Sequence, residues 1–298
     1  MYSGECDVAK TKELEEYLLK KYSFIRKFVI GKTALHRKIK SYTVGKGDGL
    51  LLCGAFHGAE RITAMMLYKF LDEVCEKMQF DDEFCALINS GGMTLVPLVN
   101  PDGVEISVNG VKSALNNSEF VSECLAKSGL PHTKWQANAR GVDINHNFDA
   151  GYETVKENER RIGIVAPSPT RYGGEYPESE RETAALCDLC RQKGFEIACA
   201  LHTQGREIYY DYGYNTPNNS LDIANELSSL SGYEVSHPQG VAVGGGFKDW
   251  FIEKFHRPAF TLEIGKGENP LSPSVFDAEY PAVSKMLWYL LKTTLRKA

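Results

Sequence analysis

The chain has no apolar stretch of membrane-spanning length, which argues against an α-helical membrane protein. It has no long basic run and carries a net charge of -5, so nucleic acid is not an expected partner. The N-terminus, Met-Tyr-Ser-Gly-Glu-Cys-Asp, lacks both the basic start and the apolar core of a secretory signal. A cytoplasmic setting is the expectation. Among eight scattered cysteines only Cys187 and Cys190 form a C-x-x-C pair, and no second pair exists to complete a zinc knuckle. Internal repeats and linker-like segments are also missing. What remains is ordinary globular composition, 43% hydrophobic and 24% charged over 298 residues, enough for one large α/β domain or two small ones.

Residues 50–61, Leu-Leu-Leu-Cys-Gly-Ala-Phe-His-Gly-Ala-Glu-Arg, organise the rest. Leu50 to Cys53 reads as a buried strand, and Gly54 and Gly58 bracket a turn. From Ile62 the apolar residues take helical spacing through Met65, Met66, Phe70, Leu71 and Val74. His57 and Glu60 therefore fall where a strand gives way to a helix, the edge at which open α/β sheets bind ligands. An imidazole and a carboxylate three positions apart can converge on one cation, and zinc accepts that mixture.

Along the chain, residues 10–22 predict an amphipathic helix, an N-terminal extension over 1–23 of a single domain spanning 1–298. Further strands are expected at Phe24–Gly31, Leu35–Val44, Met93–Val99, Phe195–Leu201, Ile208–Tyr212 and Ala259–Ile264. Helices are expected at Ser179–Gln192, 219–231 and Tyr280–Leu295. Residues 109–135 read as a polar surface excursion with a short helix at Glu119–Lys127. Residues 149–177 have the glycine and proline content of a loop. Strands alternating with helices predict one α/β domain with a mixed, mostly parallel twisted sheet flanked by helices.

Three strand ends then present polar groups: His57 with Glu60, His202 and Glu263. The first two supply two nitrogens and one carboxylate to a single zinc, leaving a coordination position for water. Glu263 is free to act as general base on that water. The alternatives are a core histidine at 202 and a Glu263 paired with Lys266 or Arg257.

Five short motifs now combine: H-G-A-E at 57–60, N-A-R-G-V-D-I-N-H-N-F at 138–148, L-H-T-Q-G at 201–205, G-G-G-F-K-D-W at 244–250 and F-T-L-E-I-G at 260–265. In order and spacing they resemble the zinc carboxypeptidase family of metallopeptidases over roughly residues 24–298. The resemblance implies a zinc peptidase with His57, Glu60 and His202 as ligands and Glu263 as base and then acid. It also implies that Arg140 stabilises the tetrahedral oxyanion.

The departures from the digestive members bear on substrate. Their Asn-Arg anchor for a terminal carboxylate reads Asn145-His146 here, the arginine before the ligand glutamate is Ala59, and their mobile tyrosine falls at Val241. A histidine cannot copy the fork of an arginine. Lys248, at the position that sets side-chain preference, suits an acidic group on the leaving residue. The whole set, with Arg171 to Glu180, is similar to the bacterial branch that cuts γ-D-glutamyl–meso-diaminopimelate bonds, implying a peptide or muropeptide partner. The rivals are a metallocarboxypeptidase releasing acidic C-terminal residues, a zinc deacylase of a small N-acyl amino acid, and a non-catalytic binding domain.

Overall fold

A computed structural model describes residues 1–2 and 4–295, with Val241 described by its backbone alone. Its strands are β1 (Arg26–Lys32), β2 (Lys38–Val44), β3 (Leu50–Cys53), β4 (Met93–Val96), β5 (Ile197–His202), β6 (Glu207–Tyr209), β7 (Glu234–Ser236) and β8 (Ala259–Glu263). They form one eight-stranded sheet in the order β1-β2-β4-β3-β5-β8-β6-β7. The central run β4-β3-β5-β8 is parallel, and antiparallel pairs join it to β2 and to β6.

The central strands are mostly apolar and almost wholly buried because helices cover both faces, as parallel sheets require. Their side chains alternate between two cores with a period of two. Leu50, Leu52, Cys199, Leu201, Phe260 and Leu262 pack with helices Val8–Lys21, Ile62–Phe80 and Val275–Leu295. Leu51, Cys53, Ala198, Ala200 and Ala259 pack the other way, against helices Arg181–Lys193 and Phe247–Phe255. Truncating a fully buried leucine such as Leu52 to alanine removes about 2–5 kcal/mol. The N-terminal helix, capped by Asp7 accepting from the Lys10 amide, buries Leu14 and Leu18 in the first of these cores.

Two expectations are corrected. Residues 149–177 contain the helix Tyr152–Arg161, whose ten residues hold neither glycine nor proline; Gly151 and Gly163 bound it, and the prolines lie beyond. Residues 109–135 are more than a surface excursion. The helix there runs Ser118–Ser128, and Val121, Cys124 and the fully buried Trp135 form a third apolar cluster with Ile106 and Ala137. Among the described residues, no helix is long and apolar enough to cross a membrane.

Candidate metal centre and active site

The polar groups gather at the C-terminal ends of β3, β5 and β8. His57 follows β3 in a tight connection, while His202 and Glu263 close β5 and β8 and are partners in register. The connection holding His57 depends on Gly58. A Cβ there would lie 2.2 Å from the Gly103 carbonyl oxygen, and the Gly58 amide donates to the Gln136 carbonyl. Thr63 fixes the other side, accepting from the Ala55 amide and donating to the Glu60 carbonyl.

His57, Glu60 and His202 bring one ligand atom each to within 4.8 Å of one another. Glu60 is the hub. Its Oε1 lies 2.8 Å from His57 Nδ1, and its Oε2 lies 3.0 Å from His202 Nδ1 and accepts from the Thr203 amide. Asn269 Nδ2 also donates to Oε1. Asp143 Oδ1 sits 3.0 Å from His57 Nε2, the carboxylate-to-imidazole contact that orients a metal-ligating histidine and leaves its other nitrogen for the ion. His202 stacks on Phe56 with centroids 5.1 Å apart. Its Nε2 is buried and has no partner among the described residues, so its ring bonds only towards Glu60. Two oriented imidazoles and a carboxylate are a donor set that fits zinc.

Burial alone would raise the Glu60 carboxyl, but the charges of His57 and His202 outweigh it and bring the pKa to about 2. For His57 burial acts to lower the pKa, yet the carboxylates of Glu60 and Asp143 prevail and push it well above the usual histidine value. Glu263 is moved the other way. Burial first, then the charge of Glu60, raise its carboxyl well above the ordinary range. Neither Lys266 nor Arg257 is its partner; Arg257 donates to the carbonyls of Gly194 and Phe195. With no ion pair of its own among the described residues, the Glu263 carboxyl lines the cleft beside His57 and His202.

That cleft has a volume of about 120 Å³ and is also lined by Asn145, His146 and Lys248. Asn145 Oδ1 accepts from the Phe247 amide at 3.0 Å, tying the helix start at 247 to the turn at 144–146. His146 Nδ1–H donates to the Arg171 carbonyl at 3.1 Å, which leaves Nε2 unengaged. Lys248 departs from its expected state: it is buried, and its ammonium is bonded to Asp249 Oδ1 and to the Asp211 carbonyl. Its charge is therefore matched within the protein. Arg140 does not line the cleft. Its side chain is 54% exposed and Nε lies 3.3 Å from Glu180 Oε2. The side chain of Val241 lies outside the described residues.

Sequence reading passed over Asp143 although it quoted the motif containing it; an acidic residue two before Asn145 was the available signal. Asn269, in the segment after β8, offered none.

Three side chains able to hold a metal, with a buried carboxyl at the next strand end, are the elements a metal-dependent hydrolase site on an α/β scaffold requires. The zinc carboxypeptidase family model matches residues 11–281. The chain is 36% identical over 267 residues to a γ-D-glutamyl-L-diamino acid endopeptidase 1 of Lysinibacillus sphaericus, covering 87% of this chain and 65% of that protein. It is 32% identical over 293 residues to the uncharacterized protein YqgT of Bacillus subtilis, covering 96% and 76%. Bovine thrombin-activatable fibrinolysis inhibitor, solved with a tick carboxypeptidase inhibitor, shares the fold with a TM-score of 0.76 at 18% identity, covering 100% and 99%. The chain belongs to the zinc carboxypeptidase family.

Proposed function

We propose that this protein is a zinc peptidase that hydrolyses an amide bond in cell-wall peptides, between a γ-D-glutamyl residue and a diamino acid such as meso-diaminopimelate. The observation that carries the substrate class is the 36% identity, over 87% of the chain, to a relative named for that bond. The site chemistry agrees with an amide hydrolase.

His57, Glu60 and His202 would hold the zinc, which would supply Lewis-acid activation of water and carbonyl. Glu263 removes a proton from the attacking water and returns it to the leaving amine. Burial and the charge of Glu60 raise its carboxyl, and the charge of a bound zinc would act in the opposite direction and favour the carboxylate that a base requires. The developing oxyanion is assigned to Arg140, whose exposed side chain rests beside Glu180. Asn145 and His146 Nε2 receive the leaving residue's backbone end, a weaker anchor than an arginine fork. Lys248 and Asp249 together form a neutral but dipolar floor. An ammonium has three donors; two are engaged in the protein, and the third remains for a substrate carboxylate. A floor carrying both signs suits a diamino-dicarboxylic acid better than a simple acidic residue. Eight free cysteines, seven of them buried, favour a reducing compartment such as the cytoplasm, where wall fragments are recycled.

The test is digestion of defined γ-D-Glu–diaminopimelate peptides, peptides with C-terminal Asp or Glu, and N-acyl amino acids, with mass readout. Release of diaminopimelate is expected. Glu263→Gln should retain zinc and lose roughly 10²–10⁴-fold in turnover. Cleavage confined to the acidic peptides or the N-acyl amino acids refutes the proposal.

A further inference from the structure

A second cavity, of about 360 Å³, adjoins the metal ligands and shares no lining residue with the cleft. Ala59 and Asn269 place it against Glu60, the first by sequence and the second by its hydrogen bond. Three amide side chains, from Gln136, Gln204 and Asn269, line its walls. Lys134, also on the wall, is paired with Glu268 at 3.1 Å. Arg171 is different. Among the described residues it has no acidic partner within ion-pair distance, and it is exposed.

The Arg171 backbone is fixed with care. Its amide donates to Asp143 Oδ2 at 3.0 Å, and its carbonyl accepts from His146 Nδ1. Its φ of 69° lies in the left-handed region, which a side-chain-bearing residue keeps only where its surroundings over-determine it. The backbone that carries this guanidinium is thus bonded directly to the carboxylate that orients His57, while the side chain itself extends into solvent at the cavity wall. Ala59, also on the wall, ends in a methyl and brings no charge of its own.

We propose that this cavity is the acyl-side subsite and that Arg171 takes the free α-carboxylate of a γ-linked glutamyl residue; the proposal rests on the cell-wall peptide reading above. In a γ-glutamyl amide the scissile carbonyl ends the side chain, so an α-carboxylate stands free a few bonds away. An α-linked peptide has no anion at that place. A guanidinium meets such a carboxylate in bidentate fashion, whereas the amides around it suit the neutral peptide leading to it.

The experiment compares two substrates for the zinc-loaded enzyme: a γ-D-glutamyl–diaminopimelate peptide and the same peptide with the glutamyl α-carboxylate converted to carboxamide. Wild type should prefer the carboxylate by about 10- to 100-fold in kcat/KM. Arg171→Gln keeps a long side chain and the same backbone demand. It should abolish the preference by slowing the carboxylate substrate, with the carboxamide substrate changed by less than about twofold; Arg171→Lys should keep part of it. Equal loss on both substrates, or no preference in wild type, overturns the proposal. If wild type cleaves neither, the cell-wall reading has failed, and the subsite is judged by calorimetric binding of both peptides to zinc-loaded Glu263→Gln. A carboxylate preference lost in Glu263→Gln/Arg171→Gln upholds the subsite; equal binding, or none, overturns it.

Discussion

Replacing Lys248 with methionine removes an ammonium from a pair in which both side chains are only 4% exposed. Asp249 Oδ2 keeps the Gly244 amide, but Oδ1 loses its partner, and the Asp211 carbonyl loses a donor. Breaking one side of a buried pair is worth about 3–5 kcal/mol. That is a large share of the roughly 5–15 kcal/mol of a typical domain, and it corresponds to a fall in Tm on the order of 10 °C for a chain of this size. The pH dependence follows from Asp249. Burial raises its carboxyl, while Lys248 holds it down. Without the lysine the folded state binds a proton more tightly still, so the stability of Lys248→Met falls as pH rises through the raised pKa. The deficit should be largest at neutral pH and should shrink towards acid. Lys248→Met/Asp249→Asn removes both charges and keeps an acceptor for Gly244, so most of the loss should return. Denaturant unfolding at two pH values measures all of this, and kcat/KM for diaminopimelate against lysine peptides in the double variant isolates the pocket effect. If Lys248→Met unfolds at the wild-type midpoint, the pairing is not structural and the ammonium is free for substrate.

Three further outcomes are expected. Burial pushes the Glu182 carboxyl up to about 8, so the folded protein holds a proton there that the unfolded chain releases near pH 4.3. Stability should therefore decline as pH rises between those values, by an amount on the order of a few kcal/mol; Glu182→Gln should flatten the decline, and calorimetric Tm profiles that stay parallel would refute this. Asp143→Asn presents an amide N–H to either His57 or the Arg171 amide, so zinc affinity measured by chelator competition should fall about 10- to 100-fold. Arg140→Ala should lower kcat by roughly 10²–10³-fold with zinc content unchanged, and near-wild-type turnover would remove Arg140 from the oxyanion role.

The two histidine ligands and the candidate base were legible because each follows a mostly apolar run: Leu50–Cys53 before His57, Ile197–Leu201 before His202, Ala259–Leu262 before Glu263. Local pattern suffices when a buried strand stops at a polar residue. Asp143 was harder, since its partner His57 is 86 positions away and only the fold joins them. The pairing of Lys248 was hidden for the opposite reason. Adjacent residues on a helix do not ordinarily face each other, so nothing in F-K-D-W announced that Asp249 neutralises its neighbour. The helix at Tyr152–Arg161 was hidden by composition, because the glycines and prolines that marked a loop lie outside it.

His202 and Glu263 are register partners on adjacent parallel strands, and the Ile264 amide donates to the His202 carbonyl beside them. The spacing of the base from a metal ligand is therefore set by the sheet itself, about 4.7–4.9 Å from strand to strand, and not by any loop. The residues assigned to substrate, from Asn145 and Arg171 to Lys248, sit on connections and on a helix end. Chemistry and recognition are thereby inherited from different parts of the backbone. Insertions or exchanges in those connections can retarget the enzyme to another peptide while the proton-transfer geometry stays as the ladder fixes it. A library confined to 144–180 and 237–248, which spares Arg140 and Asp143, is accordingly the economical place to seek new specificities.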